Sequence, residues 1–515
     1  MVEHRKIEFN RLENAPLLEI TSSIYVFVML VIFPLLMDET LYYGLTESKF
    51  NRFTRMTVIY IIATLLAFCI TNIKRSERDT HIGECSLNKR NTRGMNLSLP
   101  QAAALIYMLW ATASAISSDF GSEVLIGQGR YEGLQSLVLY GTAFVFISFW
   151  GEYSDIIPKG LALFGILEGL LVAVQLTGLP LPAGLSHFET GFVGTFGNID
   201  CMGGIVALTV PAMISAYAVI EWKRRRLLLG AIYLMMFVEG YIWVDSGLVG
   251  LAASMLITLP FLLENKDRMQ KTSAAFTALL TGMATGAMFT REGDRVIFSI
   301  GNKAAALISM AVLTAVIAAI LAKTWEFKTE PGKIRKYSAI GIVAFVLLCL
   351  LAIYMYDGDI RLLREASDAM HGEMSDSAGS GRGIVWKYCM ELIPTVPILG
   401  TGPGTFYGAF AKYNQMLKDT GSTIYFDFAH NDFMQIAICL GIGGLIIYLV
   451  FISSLAINAI RRAGENPLIL IFASGCAGYL VHSFFSFSIA IVTPGFWVMA
   501  GVLDNMSRRK VKNIT

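Results

Sequence analysis

The chain has 515 residues, of which 55% are hydrophobic and only 16% charged, with a mean hydropathy of +0.58. Soluble domains carry about 25% charged residues, so a soluble globular protein is excluded and a polytopic α-helical membrane protein is expected. The formal net charge of +2 says little by itself, and no nucleic-acid partner is expected. Seven cysteines, several inside apolar runs and none in a metal-ligand spacing, give no disulfide framework and no zinc site.

Residues 1–19 are polar for longer than a signal peptide allows and read as a cytoplasmic tail. Apolar runs then recur at the length needed to cross about 30 Å of hydrocarbon. Hydropathy predicts about 14 spans. They start near Ile20, Met56, Leu99, Gly133, Pro158, Met202, Leu227, Leu248, Ser273, Lys303, Tyr337, Asp432, Pro467 and Ile489. Eleven fall within 20–356 and three within 432–506, with a basic cytoplasmic tail at 507–515. The basic clusters fix the orientation. With the N-terminus inside, Lys74–Arg93, Lys223–Arg226, Lys266–Lys271, Lys323–Lys336, Arg461–Arg462 and Arg508–Lys512 all face the cytoplasm. Both termini are then cytoplasmic, and the loops at Arg130, Phe196 and Arg291–Arg295 are external.

Residues 357–431 form the one long external loop, and connections of this length need a functional reason. Within it RGIVWKYCMELI has helical periodicity with Ser380 as a cap. PTVPILGTGPG is a turn-rich break, and TFYGAFAKYNQML is a second short helix. External arginines run against the orientation rule. A guanidinium offers a fork of donors matched to phosphate, so Arg130 and Arg382, with Arg291 and Arg295 as accessory residues, are candidates for an anionic phosphate ligand. Solvated loop charges or anchors to lipid headgroups are the plain alternative. His430 opens an apolar helix and is followed by Asn431, a further accessory candidate of the site. A boundary histidine that is neutral at pH 7 can take a proton from a hydroxyl, although a lone histidine there also serves structure. Buried His482 is expected to pack against Ser483 or Ser486. Glu168 and Glu239 are expected to hydrogen-bond between helices, and FGNID, at 196–200, to make a tight turn.

The order of these features resembles the O-antigen ligase and O-antigen polymerase superfamily of membrane glycosyltransferases. A GRYEGL-like loop is followed by FGN before a span. Then come Arg382, Trp386, Pro397, Gly400, Gly402, Gly404, Phe406, His430, Asn431, Gly441 and Gly444. The resemblance implies transfer of a glycan from undecaprenyl diphosphate to an acceptor glycan, lipid or protein during surface-polysaccharide assembly. It implies a site on the outer face of a bacterial cytoplasmic (inner) membrane, with membrane lipids and other polysaccharide-assembly proteins as partners. It further implies that Arg130 and Arg382 hold the diphosphate, that His430 activates the acceptor hydroxyl, and that no metal and no cofactor is needed. The reading from another class is a transporter or flippase with the long loop as a gate. Such proteins tend to show matched, broken helices in two halves, and no matched pair is visible here.

Overall fold

The computed structural model describes residues 16–37, 44–81, 97–176, 193–292, 295–324, 330–373, 375–376, 378–421 and 423–509. The first fifteen residues, the basic segment 82–93 and the tail from 510 lie outside them. The described chain is helical apart from one two-stranded hairpin, Phe289–Glu292 with Arg295–Phe298.

Each predicted start lies in or beside a helix, but the helix around Met56 begins at Leu45, that around Ser273 at Lys266, and the helix opening at Asp432 ends at Cys439, so that the helix of spanning length follows from Gly441. Among the described residues, nine helices are long and apolar enough to cross a membrane: Leu17–Leu35, Leu45–Ile73, Leu99–Ile116, Ile156–Leu176, Ile199–Val219, Asp245–Leu262, Asn302–Ile320, Pro331–Tyr354 and Gly441–Ala463. Two shorter apolar helices, Leu134–Trp150 and Ile469–Phe484, stand beside them. The remaining three starts fall on Arg226–Ile242, Lys266–Gly286 and Thr493–Arg508. These carry polar residues that packing, not lipid, accommodates. Asp504 of the last is fully buried and accepts from Ser98 Oγ at 2.9 Å, from Ser148 Oγ and from Arg508 Nε.

Ile199–Val219 is the central helix and is buried along nearly its whole length. It packs against Ile469–Phe484, Asp245–Leu262 and Arg226–Ile242. In lipid, helices associate by close packing of small residues. Gly282 and Gly286 face the carbonyls of Tyr233 and Phe237 so closely that an added Cβ would stand 2.3 and 2.0 Å from them. At the periphery Pro331–Tyr354 has no buried residue, and its leucines, isoleucines and phenylalanines face outward, a surface suited to hydrocarbon.

Residues 357–431 hold short helices, Arg361–His371, Ala378–Leu392, Phe406–Ala409 and Ala411–Asp419, none of spanning length. Ser380 is not the cap expected, because the helix starts two residues before it. The FGNID turn forms as expected. Gly197 adopts φ +75°, and Asn198 caps Ile199–Val219, its Oδ1 accepting from Asp200 N at 2.7 Å. Glu168 does not bridge two helices. Its oxygens accept from the backbone and hydroxyl of Thr195 in this turn, at 2.7 and 2.9 Å, and Glu239 likewise accepts from the backbone of Val244.

Candidate active site

His430 sits at φ +49°, in the left-handed region. A non-glycine residue there costs about 1–2 kcal/mol, so its neighbours must hold it. Ala429 is clamped on both sides. Its carbonyl accepts from Trp386 Nε1 at 3.0 Å, and its N–H donates to Gln435 Oε1 at 3.1 Å. Asn431 caps the helix Asp432–Cys439, its Oδ1 accepting from Met434 N at 3.0 Å. The side chain of Asn431, expected as an accessory site residue, is therefore buried in that cap.

The glycines of the turn-rich break splice this segment to the loop that carries Arg130. Gly402 N donates to Cys439 O at 2.9 Å, and Thr401 N to Ile438 O at 3.0 Å. On the other side Gln128 N donates to Gly404 O at 2.9 Å, and Gly408 N to Gln128 Oε1 at 2.8 Å. Gly404, at φ +68°, lies so close to the loop that a Cβ would stand 2.7 Å from Gly127 Cα. Only glycine fits this crossing.

Arg130 thereby reaches the histidine. Its guanidinium lies over the Phe428 and Phe487 rings, 5.1 and 5.5 Å from their centroids, and His430 meets the same Phe487 ring edge-on at 5.4 Å. Arg130 Nε and Nη2 both donate to Asp427 Oδ2, at 2.9 and 2.8 Å. Arg382 approaches from the helix Ala378–Leu392. It pairs with Asp200 at 3.8 Å and donates to Gly379 O at 3.1 Å. Its Nε and the Nδ1 of His430 are buried polar atoms without a partner among the described residues. Burial first, then the Arg382 charge, lowers the His430 pKa from its ordinary value. Arg130 lowers it further, and Asp200 and Asp427 oppose them. His430 is thus held neutral near pH 7, with an unpartnered ring nitrogen and two guanidinium charges acting on it.

The structure brings Arg130, Arg382 and His430 together. Arg291 and Arg295 lie on the strands of the hairpin, whose Phe289 packs on Phe237 at 5.8 Å, and their side chains lie outside what the structure describes. His482 is buried, but its imidazole bonds the backbone of Ser246 instead of Ser483 or Ser486, and its Nδ1 has no partner among the described residues. Sequence reasoning missed Asp200 as the partner of Arg382 and Phe487 as the ring shared by Arg130 and His430. Asp427 was visible beside His430, but not as the partner of Arg130. Among the described residues no group of three or more His, Cys, Asp or Glu is placed to hold a metal ion.

Residues 296–449 match the family model O-Antigen ligase, a family of ligase- and polymerase-type glycosyltransferases acting on lipid-linked glycans and their acceptors. No curated protein matches the chain. The matched segment contains Arg382, the glycine junction and His430, whereas Arg130 comes from outside it and joins through Gly404. The matched segment, under a third of the chain, gives it an O-antigen ligase domain, and the many apolar helices around that domain are those of a multi-pass membrane protein.

Proposed function

We propose that this protein transfers a glycan from undecaprenyl diphosphate to an acceptor hydroxyl at the outer face of a bacterial cytoplasmic membrane, during assembly of a cell-surface polysaccharide. The acceptor is another lipid-linked glycan, a lipid or a protein. In this reading the fourteen helices near the predicted starts are all spans, both termini are cytoplasmic, and residues 357–431 lie outside. The basic clusters at the cytoplasmic loops support that orientation.

The observation that carries the reading is the convergence of Arg130 and Arg382 on His430, whose Nδ1 is buried and unpartnered. His430 removes the proton from the acceptor hydroxyl. The acceptor oxygen bonds to the anomeric carbon as the bond from that carbon to the diphosphate oxygen breaks. The diphosphate leaves with the bonding electrons, and the two guanidinium groups stabilise the charge that develops on it. The proton then leaves His430 to solvent. The products are the glycosylated acceptor and undecaprenyl diphosphate. The donor's lipid stays in the bilayer, so a site at the membrane surface makes the encounter effectively intramolecular.

The test is stoichiometric. Purified protein in nanodiscs is given a polyprenyl-diphosphate oligosaccharide and an acceptor. One polyprenyl diphosphate released per glycan transferred supports the reading. In sealed vesicles, glycan crossing the membrane still attached to its lipid, with no release, would establish the transporter instead.

A further inference from the structure

Next to the Arg130–His430 cluster lies a cavity of about 60 Å³, counted as room for the centres of water-sized molecules. That is room for about four to six waters, or for one monosaccharide ring in their place. Phe428 is part of its wall and carries Arg130 on its ring, so the cavity adjoins the proposed diphosphate position. Two carboxyl groups face it, each held by a hydroxyl. Glu132 Oε1 accepts from Tyr140 at 2.8 Å, and Asp432 Oδ2 accepts from Ser488 at 2.7 Å. Tyr107 and Tyr448 also line it. Both are buried, and neither hydroxyl has a hydrogen-bond partner among the described residues. Buried tyrosine hydroxyls ordinarily find a partner, so these two point to a polar ligand or its water. Trp497 supplies a broad apolar wall.

Carboxyl groups and hydroxyls that exchange hydrogen bonds with vicinal hydroxyls, set against aromatic faces that cover C–H surface, match the chemistry of a sugar ring. Among the described residues no lysine, arginine or histidine lines the cavity. We propose that the cavity between Glu132, Asp432, Tyr107 and Tyr448 binds one uncharged pyranose ring of the transferred or accepting glycan and rejects a carboxylated one. Burial holds the Glu132 carboxyl well above the usual range. The group is therefore protonated at neutral pH and able to donate to a sugar oxygen. This proposal rests on the transferase reading and names the chemistry of its substrate.

The experiment titrates full-length protein in nanodiscs with neutral methyl glycosides of glucose, galactose, mannose, rhamnose and N-acetylglucosamine, and with methyl glucuronide. The readout is tryptophan fluorescence, assigned to the cavity by its loss in Trp497→Phe. At least one neutral glycoside should give a saturable change. The glucuronide should bind at least tenfold more weakly, and Tyr448→Phe and Glu132→Leu, which remove a hydrogen-bonding group, should each weaken the neutral glycoside by about tenfold. If either variant fails to fold, Tyr107→Phe, which removes the other unpartnered hydroxyl, replaces it. In the transfer assay the bound glycoside should raise the KM for the donor, if the ring is the donor's, or for the acceptor, if it is the acceptor's. No saturable response to any neutral glycoside, equal binding of glucuronide, indifference to the variants, or an unchanged KM for both substrates would each overturn the proposal. Glycoside binding without glycan transfer would instead remove the transferase reading and leave the sugar site standing.

Discussion

Gly404→Ala is the sharpest test of how the site is assembled. The substitution meets two costs. At φ +68° an alanine is strained, by about 1–2 kcal/mol. Its Cβ would also stand 2.7 Å from Gly127 Cα and 3.1 Å from Glu132 O, where ordinary contact begins at 3.4 Å. Both neighbours are backbone, so the loop must retreat by about 0.7 Å, and Arg130 lies on that loop three residues from Gly127. A misplacement of about 1 Å at a reacting centre can cost about 10²-fold, which puts the expected loss of glycan transfer at about tenfold or more. Gly421→Ala is the control. Its φ of +82° imposes similar strain, but nothing lies within 4 Å of its Cβ. Both variants should insert in the membrane at normal levels, measured by immunoblot. In a transfer assay on purified protein only Gly404→Ala should lose rate. Equal activity of the two variants would refute the claim that the Gly404 crossing places Arg130.

His430→Ala should lower transfer by about 10²- to 10⁴-fold with membrane insertion unchanged, and near-normal product would remove His430 from the mechanism. Arg382→Lys and Arg130→Lys should each leave a clear defect in donor KM or kcat, because an ammonium lacks the two-pronged donor geometry. The lysine at 130 would also lose the stacking on Phe428 and Phe487, so full rescue by either lysine would count against the diphosphate clamp. Transfer should persist with a chelator and without ATP, since the guanidinium groups supply the positive charge. Collapse with chelator and recovery on adding magnesium or manganese would overturn the arginine account.

What could be read from the sequence follows from how local each signal is. Apolar length marks the helix starts, and the Ala-His-Asn run and the glycine turns are contiguous, so the segment around His430 was visible. The spans were harder. Hydropathy does not distinguish lipid from protein as the partner of a helix, and Thr493–Arg508 tolerates Asp504, Asn505 and Ser507 because they are buried against other helices. The pairings were not visible at all. Arg130 and Asp427 are 297 positions apart, and no local pattern connects them. Gly404 reads as a turn in isolation. That it is a crossing point depends on Gly127, far away in the chain, and close approach belongs to the pair of backbones.

The two aspartates bear on when His430 becomes a base. Before any donor binds, Asp427 and Asp200 accompany the guanidinium groups of Arg130 and Arg382. Arg130 and Asp427 are each about a third exposed, so this pair contributes only about 0–1 kcal/mol and a diphosphate can displace its carboxylate. The arginines lower the His430 pKa and the aspartates raise it, with burial the largest influence. A bound diphosphate adds negative charge beside both arginines, offsets their effect, and so moves the pKa upward in the complex. The base must be neutral to act, so activity falls as pH drops through its pKa. The acid limb of kcat/KM for the donor reports the free enzyme, and that of kcat reports the complex. The free-enzyme limb should lie below the ordinary histidine value of 6.5, and the kcat limb at higher pH. These limbs are measured with saturating acceptor across about pH 4.5–8.5, an interval of about two units on either side of the ordinary pKa. Coincident limbs, or a kcat limb on the acid side of the other, would mean that the diphosphate does not sit beside the arginines that act on His430.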